Sequence, residues 1–124
     1  MMDFANGSFV KLSAVNLSEV SDGVSDLLVP GEQLLQGYKA MRDYVVFTDK
    51  RLIAVNVQGM TGKKKDFTSL PYSKIQAFSV ETAGTFDLDA ELDLWFSGLG
   101  KVHLEFKGTA DIRQLGQLIA HHVL

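Results

Sequence analysis

The stretch QGMTGKKK, Gln58 to Lys65, sets two glycines directly ahead of three lysines, a composition that binds phosphate when the spacing is right. A phosphate-binding P-loop needs four residues between its glycines, a Ser or Thr after the lysine for magnesium, and a helix next, so that backbone N–H groups point at the anion. Here Gly59 and Gly62 enclose only Met60 and Thr61, Lys64 stands in the hydroxyl position, and the KDFTSLPY that follows has no helical stripe. The stretch is read as the tip of a hairpin, a glycine-rich turn between two strands, and no nucleotide is expected on it. Lys63, Lys64 and Lys65 remain candidates for contact with an anionic surface, each contributing about 1 kcal/mol beside a charged membrane. Their plainer role is to keep a hairpin tip solvated.

Catalysis would need a nucleophile with its base, a carboxylate pair in a cleft or a clustered metal set, and no such constellation is read from this sequence. His103 falls on the outer face of a strand, while His121 and His122 are adjacent near the end of a helix. Neighbours on a helix splay by about 100°, whereas metal ligands favour the i, i+4 spacing, so the pair is assigned to a helix C-terminus that tolerates partial positive charge. Asp87, Asp89, Glu91 and Asp93 alternate along DLDAELDLWF, which spreads them along a strand instead of converging them. A solvated or oligomer-facing stripe is expected there, with no metal. Trp95 shares that outward face, and an exposed Trp marks an interface.

The elements that position these groups follow from periodicity. A chain of 124 residues accommodates one domain, expected over residues 1–124, with a core that needs no cross-links. There is no cysteine, which removes disulfides and thiolate chemistry and suits a reducing compartment. The formal net charge of −3 argues against a non-specific nucleic-acid binder. Apolar runs are too short to span a bilayer, and the first residues lack a secretory pattern. A cytoplasmic location is expected, with contact at the inner face of the membrane as its extension.

NLSEVSDGVSDLL, with Asn16 as cap and Glu19 three positions on, predicts a helix over 16–28 whose apolar face is Leu17, Val20, Val24, Leu27 and Leu28, ended by Pro30 and Gly31. TADIRQLGQLIAHHVL predicts a second helix over 110–123, capped by Thr109, with Ile112, Leu115, Ile119 and His122 or Val123 on one stripe. Between them, over residues 31–107, the period is two. Leu88, Ala90, Leu92, Leu94 and Phe96 point one way, and Val102, Leu104 and Phe106 repeat the pattern after the SGLG turn. The acidic outer stripe is expected to pair with the mostly basic row Lys101, His103, Glu105 and Lys107 on the next strand, at roughly 0.2–1 kcal/mol per pair. EQLLQGYKA, DYVVFT, RLIAVNVQ, KDFTSL and IQAFSVET bring the count to seven strands. This predicts a mainly β, bent barrel or sandwich plugged at one end by the last helix.

The run from GYKAMRDYVVFTDKRLI through QGMTGKKK, LPYSKI and FSVETAG resembles the bacterial pleckstrin-homology domain family, small bacterial proteins long labelled as a domain of unknown function, over roughly residues 10–124. The resemblance implies a PH-like seven-stranded bent barrel with a C-terminal capping helix, to which this chain would add the N-terminal helix. It implies a non-enzymatic module without cofactor that assembles with itself into a cyclic homo-oligomer, a pentamer in single-domain members, and binds a further protein partner. A link to cell-envelope stress is part of the same implication, and because the chain stops after AHHVL it is the single-domain form that is implied. On that reading Arg42, Asp43, Asp49, Lys50, Arg51 and Trp95 form the candidate interaction surface. The alternative comes from eukaryotic relatives of the fold, which take inositol phosphates on basic residues around the loop joining the first two strands. That loop is read here as YKAMRDY. It offers Lys39 and Arg42, opposed by Asp43, and with Lys63, Lys64 and Lys65 it makes a candidate contact for anionic phospholipid headgroups.

Overall fold

In the computed structural model, which describes residues 1, 4, 9–86, 88–108 and 110–124 and Val10 by its backbone alone, the alternating runs become strands. They are β1 (Phe9–Val15), β2 (Leu34–Ala40), β3 (Asp43–Thr48), β4 (Arg51–Gln58), β5 (Lys64–Pro71), β6 (Ile75–Glu81), β7 (Ala90–Phe96) and β8 (Gly100–Phe106). They form one open, mainly β sheet in the order β5-β4-β3-β2-β1-β8-β7-β6. The described residues therefore contain eight strands where seven were expected, and the additional one is β1. Its alternation is broken, which hides it from a period-two reading. Phe9 and Leu12, three apart, are both buried, and the register on β8 shifts between them. Lys11 sits at that irregularity with φ 58°, in the left-handed region. The first part of β1 pairs parallel with β8 and Ser13–Val15 pair antiparallel with β2, so this bent strand joins the two halves of the sheet.

The concave side encloses the main core, built from Leu12, Val45, Phe47, Leu52, Leu92, Leu94, Leu104 and Phe106 among others, with Tyr38 meeting Phe47 and Phe106 edge-on at ring distances of 5.8 and 4.9 Å. Helix α2 (Ile112–Val123) closes it by burying Ile112, Leu115 and Ile119, the stripe that the sequence marked out. Its cap is Asp111, whose carboxylate accepts from the Gln114 amide at 3.1 Å; Thr109, the expected cap, lies outside the described residues, as does Asp87. Ala90, Leu92, Leu94 and Phe96 are buried as the alternation demands, but Leu88 precedes β7 and is exposed.

A second, smaller core lies on the other face of β3 and β4, where Tyr44, Val46, Ile53 and Val55 are covered by Val20 and Val24. Burial on both faces explains why Tyr44 to Thr48 reads as a run without alternation. The covering segment is not the helix expected over 16–28. Asn16 does start it, its backbone N–H donating to the Glu19 carboxylate at 3.1 Å. It then breaks into a 3-10 turn (Leu17–Glu19), a single α turn, α1 (Ser21–Val24), and another 3-10 turn (Ser25–Leu27), and Leu27 is exposed. Serines, aspartates and a glycine are weak helix formers, and tertiary contact decides the path. A Cβ on Gly23 would overlap the Tyr44 hydroxyl, and one on Gly37 of β2 would lie 2.7 Å from Val20 Cγ2. These two glycines let the segment lie flat on the sheet.

Candidate interaction surfaces

Of the six residues expected to face a partner, four are engaged within the chain. Arg51 lies at the start of β4 and presents its fork to Glu32, with Nε and Nη2 each 2.9 Å from a carboxylate oxygen. Nη2 also donates to the Leu27 carbonyl at 2.7 Å and Nη1 to Ser69 Oγ at 2.8 Å. The Glu32 carboxylate is fully enclosed and accepts further from Thr48 Oγ1 at 2.7 Å and the Val29 amide at 3.1 Å. Burial pushes the Glu32 pKa up, yet hydrogen bonds from Arg51, Thr48 and Val29, with the guanidinium charge, outweigh it and hold the carboxyl at about 2. Tyr72 completes the cluster by donating to the Thr48 carbonyl at 2.7 Å, and burial raises its phenol above the usual range. Asp49 binds back to the same region, accepting from the Gln33 amide at 2.9 Å. Glu32, Thr48 and Tyr72 were not singled out from sequence; the Glu32–Arg51 contact spans 19 residues and leaves no local signal.

Arg42 and Asp43 do equivalent work at the other end of β3. Arg42 Nη1 donates to the Gly59 carbonyl at 2.5 Å, and Asp43 accepts from the Val57 amide at 2.8 Å and from Asn56 Nδ2 at 3.2 Å. The β2–β3 turn is thereby tied to the β4–β5 hairpin, whose antiparallel register runs from Arg51↔Pro71 to Gln58↔Lys64. QGMTGKKK is the tip of that hairpin. Lys39, Lys63, Lys64 and Lys65 lie on or beside these two tied turns, with Met41 and Met60 fully exposed at the apices. YKAMRDY joins the second and third strands, not the first two, because β1 precedes them.

The outer face of β6, β7 and β8 is the third surface. Trp95 is 36% exposed there, between Ala77 on β6 and Lys101 on β8. The expected charge pairing is seen at His103: Asp93 lies opposite it, with Oδ1 and Nδ1 2.5 Å apart, and Glu91 Oε1 is 3.8 Å from Nε2. Glu91 stands opposite Glu105, a like-charged pair, because antiparallel register sets acid against acid at that step. The lysine that relieves them comes from β1 instead: Lys11 Nζ is 2.5 Å from Asp89 and 3.8 Å from Glu105. Lys50, by contrast, is exposed in its turn, with its backbone amide on Thr48 Oγ1 at 3.0 Å.

An open, bent sheet whose wide end is closed by a C-terminal helix is the architecture of a pleckstrin-homology-like module. The family model for the bacterial PH domain matches residues 3–123, and the chain belongs to that family. It is 44% identical to the uncharacterized protein YjqA of Bacillus subtilis (strain 168), over 96% of this chain and 97% of that one. It is 33% identical to the uncharacterized protein YozO of the same organism, over 89% and 95% of the two chains. Among solved structures it is similar to a DUF1696 family protein with a pleckstrin-homology domain from Shewanella loihica PV-4, with a TM-score of 0.81, 43% identity and coverage of 93% and 99%. A pleckstrin homology domain from Shewanella amazonensis SB2B gives a TM-score of 0.68 at 43% identity, covering 96% and 93%.

Proposed function

We propose that the protein is a non-catalytic assembly module that closes into a ring of its own copies and offers that ring to a further protein partner. The observation that carries this is the edge strand β6. Ile75 to Val80 contains no charge and no proline before the terminal Glu81, a register shift against β7 is confined to its start between Ile75 and Ala77, and among the described residues no strand pairs its outer side. Such an edge is a ready template for another chain unless it is charged, kinked or covered. The opposite edge, β5, carries the charges of Lys64 and Lys65, ends at Pro71, and has the Met1 amine 3.0 Å from its Asp66. Trp95 stands beside the bare edge, opposite Ala77, and adds aromatic surface of the kind that anchors interfaces. A head-to-tail contact, in which β6 of one copy meets a different surface of the next, closes into a ring when the rotation per copy allows it. A role in cell-envelope stress is the setting we attach to this reading. Light scattering on the eluting peak from size exclusion tests it, and a monomer mass across micromolar concentrations would overturn it.

One observation favours a second reading, contact with anionic phospholipid. Met41 is held in the left-handed region, φ 55°, at full exposure. That conformation costs a non-glycine residue about 1 kcal/mol, and among the described residues no packing offsets it. With Met60 it places two flexible apolar side chains on tied turns inside a collar of Lys39, Lys63, Lys64 and Lys65. Apolar tips within a basic collar suit a membrane of anionic headgroups. Sedimentation with phosphatidylserine vesicles separates the readings: binding at physiological salt that is lost when Lys63, Lys64 and Lys65 become glutamine supports the membrane role.

A further inference from the structure

We infer that the outer face of β7 and β8 carries a divalent transition-metal site, with Glu91, His103 and Glu105 as ligands and Asp93 as the residue that orients the imidazole. Glu91 and Glu105 are directly opposed on neighbouring antiparallel strands, and His103 precedes Glu105 by two positions, so all three side chains leave the sheet on the same side. One ligand atom from each lies within 4.8 Å of the other two, so that small side-chain rotations bring them to the separations, at most about 4.4 Å, of donors sharing one ion at about 2.0–2.2 Å. Glu91 and Asp93 do alternate along β7 as expected; the convergence arises across strands, which a single-strand reading does not reveal.

The histidine distinguishes this group from an acidic patch. Its Nδ1 is 2.5 Å from Asp93 Oδ1, and its Nε2 is turned toward Glu91, at 3.8 Å from Oε1. Asp93 therefore fixes the tautomer with the proton on Nδ1 and leaves the Nε2 lone pair for an ion, the carboxylate–histidine–metal relay found around bound zinc. A nitrogen and two carboxylate oxygens, with water completing the shell, suit zinc or manganese and not calcium, which takes six to eight oxygens. Glu81 extends the row, standing opposite Glu91 on the β6 side. An ion here would sit where three glutamates of one face line up across three strands, and it would lower their repulsion. Lys11, 3.8 Å from Glu105, is the competing cation.

The test uses protein stripped with a chelator. Zn2+ is added by calorimetry, and Cu2+ is followed by quenching of Trp95, the single tryptophan, two positions from Asp93 on the same face. The expected result is one ion per chain with micromolar affinity and a rise in melting temperature with Zn2+. His103→Gln and Glu105→Gln should each lower affinity about tenfold or more, and Asp93→Asn about tenfold. Lys11→Gln should tighten binding by removing the competing charge, and His121→Gln should leave it unchanged. All these side chains are solvent-accessible, so wild-type circular dichroism is expected of each variant. Affinity no better than millimolar, or binding that survives His103→Gln and is lost in His121→Gln, would overturn the assignment.

Discussion

Replacing Arg51 by lysine keeps a positive charge beside Glu32 but removes the planar fork, and one ammonium cannot reach Glu32, Ser69 and the Leu27 carbonyl together. Arg51→Lys is therefore expected to lower stability by about 2 kcal/mol in urea denaturation, and Arg51→Ala by about 3–5 kcal/mol, because it strands an enclosed carboxylate. Acid should act through the same cluster. Glu32 is held near 2 against an ordinary 4.5, so in that interval the unfolded chain binds the extra proton. Stability from this group is whole above about pH 4.5 and is lost as pH falls toward 2, a loss of about 3 kcal/mol by linkage. Glu32→Gln should start less stable at neutral pH and show a shallower acid slope. Asp89, lowered by its hydrogen bond from Lys11, leaves some slope of its own. The sequence exposed the residue types here but not their partners. Arg51 and Asp49 were legible as polar groups around a turn, whereas their role depends on Glu32 and Gln33, brought close only by the fold.

At the scale of elements, the readable ones were those with an unbroken period. β7, β8 and α2 lie where alternation or the helical stripe set them, since each buries one face against the same core. β1 was invisible because the irregularity at Lys11 breaks its alternation, and the N-terminal helix was over-read because Val20 and Val24 fit a helical stripe while packing as isolated anchors. What holds that segment is close approach, and this makes a specific expectation. Gly37→Ala should cost about 1–3 kcal/mol by overpacking Val20. Gly23→Ala should cost a similar amount, and less in a Tyr44→Phe background, because the obstructing atom closest to its new Cβ is the Tyr44 hydroxyl. Limited proteolysis should then cut first within residues 16–33, with the main core intact. Equal penalties for Gly23→Ala in both backgrounds would mean that the segment yields elsewhere.

For the whole molecule, the question is which exposed feature the fold leaves unsatisfied, and the sheet edges answer differently from the loops. A bare edge loses nothing in water as a monomer, since solvent bonds its amides, but it pairs with any strand that fits. Placing a lysine in the middle of β6 therefore separates assembly from folding. Ala77 is exposed and opposite Trp95, so Ala77→Lys adds charge to the edge without touching the core. The expected outcome is a wild-type melting temperature within about 1 °C, since surface substitutions of this kind change stability little, with the scattering mass reduced to that of one chain, 13.6 kDa. The glutamine variant at Lys63, Lys64 and Lys65 should keep the assembled mass while losing vesicle binding, because these residues lie on the blunted side of the sheet. An Ala77→Lys protein that still elutes as the wild-type oligomer would move the interface away from β6. Conversely, a wild type assembled only on vesicles would make the membrane the condition for assembly, with Met41 and Met60 as the residues that first make contact.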